Sequence, residues 1–253
     1  MKHITPLRKL LSLAVLACSS LLPANAAQIL NNGGFESGLA GWTTTDALGS
    51  DGTFAVQTGT TSPINGDTVP APAGGTKAAM TDGAGPGSHL LYQDFVVVSA
   101  AGVATLSFDL FIGNRAELFA TPAPGSLDFG INAANQQARI DILKGSATAF
   151  SLVGSDVLLN VYQSNSGDAL ISGYTHLSFD VTGLVNANLG TTLRLRFAEV
   201  DNLAPLQLGV DNVSLDVGSA GVPEPASALT MGAGLVAMGF GLLRRRRHSL
   251  PRA

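Results

Sequence analysis

Between residues 28 and 217 the chain carries short runs of β-type residues, each ended after four to ten positions by Gly, Pro, Asn or Asp. This punctuation constrains the fold more than any other feature. It predicts strands near Phe54–Gln57, His89–Val98, Ala104–Phe111, Ala138–Lys144, Ala149–Leu152, His176–Val181, Thr192–Glu199 and Leu208–Asp216. In Thr105-Leu106-Ser107-Phe108-Asp109-Leu110 the apolar residues take one face and the polar residues the other. Leu193-Arg194-Leu195-Arg196-Phe197 repeats the pattern and predicts both arginines on the solvent side. Thr58–Thr76 and Ala120–Asn135 read as loops rich in Gly, Pro, Thr and Ala. Helical periodicity is almost absent, so a parallel sheet would lack its crossover helices. The expected class is all-β, an antiparallel β-sandwich or jelly roll over residues 27–217.

The two ends of the chain read differently. MKHITPLRK is a basic start, LLSLAVLACSSLL an apolar stretch, and Pro23-Ala24-Asn25-Ala26 an A-x-A cleavage site, the pattern of a signal peptide over residues 1–26. Val15-Leu16-Ala17-Cys18 offers a rival lipoprotein box, although the leucine before the alanine fits it poorly. Cys18 is the chain's one cysteine, so cleavage after Ala26 leaves an exported body without disulfides.

At the other end, residues 218–225 form a linker that closes on Val222-Pro223-Glu224-Pro225. Two prolines remove two backbone donors and fix φ, which keeps this tetrapeptide extended. Eighteen uncharged residues follow from Ala226 to Leu243. As a helix they would span roughly 27 Å, just short of a roughly 30 Å hydrocarbon core. Ala233, Ala237 and Gly241 keep small-xxx-small spacing, which permits close helix contact but weakens the anchor. Arg244, Arg245, Arg246 and Arg247 then open a basic tail, 244–253, which the positive-inside tendency assigns to the cytoplasm. A buried C-terminal helix is the competing reading, and four arginines abutting a helix with no polar face argue against it.

This order of VPEP, apolar segment and arginines resembles the PEP-CTERM sorting signal of Gram-negative bacteria. The resemblance covers about the last 32 residues. It implies recognition by a membrane-embedded exosortase, cleavage near Pro223-Glu224-Pro225, and delivery of the body from an inner-membrane precursor to the cell surface or beyond.

Charge bears on partners. Only six of the 14 basic residues, but 17 of the 18 acidic ones, lie between 27 and 220, a net charge of about −11. Nucleic acid is excluded as a partner, because phosphate binding needs clustered Lys and Arg. Divalent cations or neutral polymers suit such a body, and so does simple solubility after export.

The body carries local signatures at its two ends: Asn31-Asn32-Gly33-Gly34-Phe35-Glu36-Ser37-Gly38-Leu39-Ala40-Gly41-Trp42, and Gly209-Val210-Asp211-Asn212-Val213-Ser214-Leu215. The pair resembles carbohydrate-binding modules with the galactose-binding-like jelly roll. That resemblance implies first and last strands lying together, a structural Ca²⁺ held by Glu36, Asp211 and nearby carbonyls, and Trp42 in the core. Calcium takes hard oxygen ligands of this kind. The competing reading leaves Glu36 and Asp211 as turn and strand-end residues. Sugar contact would fall to Tyr92, Tyr162, Tyr174 or Phe119, in a chain only 6% aromatic.

Signs of catalysis are few. His89 and His176, the histidines of the body, lack metal-ligand spacing, and G-x-S-x-G, H-E-x-x-H and P-loop motifs are missing. The amide cluster DFGINAANQQAR, Asp128–Arg139, reads either as the lining of a polar groove or as a loop saturated with its own hydrogen bonds. The expected function is that of a non-enzymatic surface or matrix protein associating with exopolysaccharide. The alternatives are a structural biofilm protein without a ligand, and a polysaccharide hydrolase built on two of the seventeen carboxylates.

Overall fold

A computed structural model describes residues 26–219. The signal segment up to Asn25, Val222–Pro225, the apolar segment 226–243 and Arg244–Arg247 lie outside the described residues. The described elements are β1 (Ala27–Gln28), β2 (Thr43–Asp46), β3 (Thr53–Thr58), β4 (Lys77–Asp82), β5 (Gly87–Val96), β6 (Ala101–Asn114), β7 (Gln136–Lys144), β8 (Val157–Gln163), β9 (Thr175–Asp180), α1 (Thr182–Ala187), β10 (Thr192–Asp201) and β11 (Leu206–Ser219).

They build two antiparallel sheets. One runs β3-β4-β11-β6-β9 with β1 added to β11, and the other runs β2-β5-β10-β7-β8. The eight strands β4 to β11 fall in the orders 4-11-6-9 and 5-10-7-8, the double Greek key of a jelly roll. Alternation explains the packing. Leu106, Phe108, Leu110 and Ile112 of β6 face Leu193, Leu195 and Phe197 of β10 across one continuous core. A run of touching rings crosses it: Phe35 to Trp42 at 5.3 Å, Trp42 to Phe197 at 6.0 Å, Phe197 to Phe108 at 5.3 Å and Phe108 to Phe179 at 5.8 Å. Trp42 is therefore a core residue, with its indole N–H donated to the Asn32 carbonyl.

Several expectations are corrected. Ala149–Leu152 is a turn rather than a strand, closed by the Ser151 amide on the Thr148 carbonyl. β1, β2, β4 and β8 were not expected. KAAMTD of β4 and VLLNVYQ of β8 lack the alternation of a half-solvated strand. Arg194 and Arg196 do leave the core face, yet they do not reach solvent: Arg194 is 9% exposed and Arg196 is fully buried. The loop that follows β7 covers them.

The strand directions give the sandwich two unlike ends. Ala27 pairs with Val217, and Ser219 with Ala101, so the chain enters and leaves the domain at one place, hereafter the exit end. The short β5–β6 turn and α1 lie there too. Asn186 of α1 brackets the backbone of Ala101, and Thr182 accepts the Ala104 amide. The far end holds the β4–β5 turn, the 202–205 loop and the long β6–β7 loop.

Candidate functional site

Glu36 and Asp211 both reach the loop before β4. The Glu36 carboxylate accepts the Thr76 and Lys77 amides, at 2.7 and 2.9 Å, and the Thr76 hydroxyl at 2.8 Å. Lys77 Nζ donates to the Glu36 carbonyl at 2.8 Å. The Thr76 and Lys77 donors hold Glu36 below the ordinary carboxylate range. Asp211 takes the Gly74 amide on Oδ2 at 2.8 Å and the Asn212 amide on Oδ1 at 2.7 Å. Burial pushes its pKa up, these amides pull it down, and neighbouring Asp109 raises it.

The opening motif docks on the same place. The Val213 amide donates to the Gly33 carbonyl at 2.9 Å, beside a β-bulge in β11 where Asn212 has φ +48°. A Cβ on Gly33 would lie 1.8 Å from the Val213 carbonyl oxygen, so the approach demands glycine. The two signatures thus form one clasp, as the resemblance implies. The calcium it also implies does not fit this donor set. All four carboxylate oxygens face protein N–H or O–H donors, and an ammonium already sits on the Glu36 carbonyl.

Of the aromatics expected to touch sugar, Phe119 is 3% exposed in the main core. Tyr174 is packed with Phe111, Met80 and Val69 and donates its hydroxyl to Gln57; burial raises its pKa strongly. Tyr162 packs against the core from β8. Tyr92 is covered by the Arg194 guanidinium, 4.2 Å from its ring centre.

An aromatic that sequence reasoning passed over stands in a more open position. On the outer face of the β5–β10–β7 sheet, Leu90, Ala198 and Val200 join Leu127 in a second, small core beneath the β6–β7 and β7–β8 loops. Between those loops lies a cleft of about 500 Å³. Half-buried Phe150 and Leu152 and exposed Val153 form one wall, and Ser126, Leu127 and Asp128 the other.

Polar struts from the sheet hold both walls. Arg196 donates to the carbonyls of Ala149 and Ser151. Arg194 donates to that of Ala147 at 3.1 Å and forks onto Asp94 at 2.6 and 2.9 Å. Asp141, fully buried, pairs with both Arg196 and Arg139. Burial acts to raise its pKa, but the two guanidiniums prevail and hold it below the usual range. On the opposite wall, the Asn135 side-chain amide donates to the carbonyls of Ser126 and Asp128 at 3.1 and 3.0 Å. Gln137 adds a second bond to Ser126 at 3.0 Å. The amide cluster therefore divides: Asp128 lines the cleft, while Asn135 and Gln137 brace its wall from below.

A separate polar row lies between the sheets toward the far end. Asp46, His89 and Glu199 are cross-strand neighbours on β2, β5 and β10. His89 Nδ1 meets Asp46 Oδ1 at 2.7 Å. Glu199 is 1% exposed, and its Oε1 has no hydrogen-bond partner. Burial, then Asp201 and Asp46, push its pKa well up. Asp201, two residues on, accepts the Gly87 and Leu206 amides, and burial takes its pKa to about 7. Among the described residues no group of three or more His, Cys, Asp or Glu is arranged to hold a metal ion.

No protein-family model matches the chain, and no curated protein matches it. Solved structures do. TmCBM61, in complex with β-1,4-galactotriose, is 14% identical over 75% of this chain and 97% of its own, with TM-score 0.44. The K3 cleaved adhesin domain of Lys-gingipain from Porphyromonas gingivalis is 15% identical over 76% and 99%, also at 0.44. The apo form of a cyclase from Fischerella sp. is 19% identical over 79% and 100%, again at 0.44.

Proposed function

We propose that this is an exported, non-enzymatic surface or matrix protein that associates with exopolysaccharide through the cleft on its β5–β10–β7 face. The observation that carries the reading is the cleft itself. An aromatic ring, Phe150, stands opposite the Ser126 and Asp128 backbone and side chains, and buried struts fix both walls before any ligand arrives. Apolar ring faces suit the C–H faces of sugars, and rim polar groups suit their hydroxyls. Walls held in advance reduce the ordering cost of binding. The cleft-lining residues include one carboxylate, Asp128, whereas glycoside hydrolysis uses a pair.

The tail supports the cellular side of the proposal. VPEP, an uncharged segment and four arginines, in that order, suit a precursor held in the inner membrane until an exosortase cuts near Pro223-Glu224-Pro225. Pull-down with the producing cell's own polysaccharide, with and without calcium, tests the binding. Retention of the wild-type body and loss by Phe150→Ala, with its thermal melt intact, is the expected outcome. No retention of the wild-type body under either condition would leave a structural surface protein without a ligand.

A further inference from the structure

The exit end carries a group of exposed apolar side chains. Val98 is 79% exposed and Val103 59%, with Val96 at 39% and Leu189 at 38%. Single exposed aliphatic residues are ordinary on any surface. These four belong to one turn and its neighbours. Val96 and Val98 end β5 and enter the β5–β6 turn, and Val103 follows it in β6. Leu189 precedes Gly190, whose amide donates to the Val97 carbonyl at 2.9 Å. Val103 is also the cross-strand partner of Gly218, one residue before the last described position. Val96 lies on the outer face of one sheet and Val103 on that of the other, with the Val98 turn and Leu189 between, so the four ring the end at which the chain leaves the sandwich.

The chain's length decides what this patch meets. Six residues, 220–225, separate Ser219 from the uncharged segment that begins at Ala226. Fully extended, they reach roughly 20 Å. β6 and β11, each of 14 residues, give the sandwich a length of roughly 45 Å along its strands. A tether less than half as long as the domain holds its exit end at the bilayer. The cleft, formed by the β6–β7 and β7–β8 loops over the outer sheet face, is left toward water.

We propose that in the membrane-held precursor the Val96, Val98, Val103 and Leu189 patch lies on the lipid surface, so that the sandwich stands on its exit end while awaiting cleavage. This rests on the reading of residues 226–243 as a membrane segment. Valine and leucine side chains entering the headgroup boundary lose apolar area to it, and the covalent tether removes most of the entropic cost of docking. The same end also carries charge: Lys144 beside Asp156, Asp94 in its fork with Arg194 two residues before Val96, and Asp180 and Asp216 on either side of Thr105, two residues past Val103. Removal of the tail would leave only this small patch to hold the body, so cleavage releases it.

The full chain carrying Cys18→Ser tests the arrangement. Single cysteines replace Val98, Val103 or, as a control at the far end, Leu203, which is 49% exposed. Each is labelled with an environment-sensitive fluorophore and incorporated in vesicles of phosphatidylethanolamine and phosphatidylglycerol with brominated acyl chains. The expected result is co-flotation with the vesicles and loss of most of the fluorescence at Val98→Cys and Val103→Cys, with Leu203→Cys unchanged. Co-flotation with equal signals at all three positions would overturn the docked patch and leave the membrane segment standing. Failure to co-float would overturn the membrane segment, and the docking with it.

Discussion

The two outer faces of the sandwich come from the same kind of sequence and end in opposite conditions. On β6, the residues turned away from the core are Thr105, Ser107 and Asp109. They stand beside Asp216, Ser214 and Asp211 of β11 and beside Asp180, Ser178 and His176 of β9. Much of that face is open, with short side chains that hydrogen-bond to water or to each other. On β10, the corresponding residues are Arg194, Arg196, Ala198 and Val200, and two loops roof them. Alternation states which face is core. It does not state whether the other face meets water. Long guanidinium side chains, with five donors each, can recruit loop carbonyls as a lid, whereas Ser and Thr cannot reach that far.

This contrast can be broken experimentally. Arg196→Ala removes a fully buried cation and leaves Asp141 with one cationic partner, Arg139, instead of two. Breaking a buried pair costs about 3–5 kcal/mol, read by urea unfolding, and the cleft walls should lose order in hydrogen exchange. An unfolding midpoint near wild type would mean that the roof does not depend on its struts.

Acidity separates the interior between the sheets from the roofed outer face. Glu199 and Asp201 have raised folded-state pKa values, so their protonated forms are favoured in the native state. Stability should therefore be greatest at mildly acid pH and fall as pH rises from about 4 towards 7, where Asp201 ionises in the fold. Asp141, whose pKa is lowered, acts in the opposite sense, and its contribution is lost as pH falls below the ordinary carboxylate range. Glu199→Gln keeps the shape and removes the charge. It should raise stability at pH 8 by about 1–3 kcal/mol and change little at pH 4. Equal melting curves for the two proteins at pH 8 would show that Glu199 is not a buried acid.

The clasp gives a smaller effect. Glu36→Gln keeps one acceptor oxygen but loses the charge that receives three donors, and should lower the melting temperature by less than either buried-site change. A chelator should leave the melting temperature of wild type unchanged; a clear fall would restore calcium to the clasp. Smallest of all, Ser107→Ala on the open face should shift stability by no more than about 0.5 kcal/mol. A larger loss there would mean that the open face is covered in solution.

The sequence makes the jelly roll legible where strands have one wet or semi-polar side, as in β6 and β10. It hides β4 and β8, whose mixed small, apolar and polar residues show no period of two. Glu36 and Asp211 are visible as end signatures, but what joins them is a loop 41 residues from one and 137 from the other, and local pattern cannot show that. Phe150 reads as the core of a strand because Ala149-Phe150-Ser151-Leu152 alternates. Its true position follows from Arg196 binding the carbonyls on either side, a contact across 45 and 47 residues.

The place of β11 in its sheet sets the order in which the molecule can exist. It is the last strand made, yet it lies between β4 and β6 and also carries β1. Until Ser219 is available, β4 and β6 lack the partner that joins them, and the first residues after Ala26 have nothing to pair with. One sheet of the sandwich thus waits for the 14 residues of β11, so its closure follows synthesis of the other described strands instead of accompanying it. A domain closed in this order keeps one of its two sheets open until β11 has been made, an order that would suit the export proposed above.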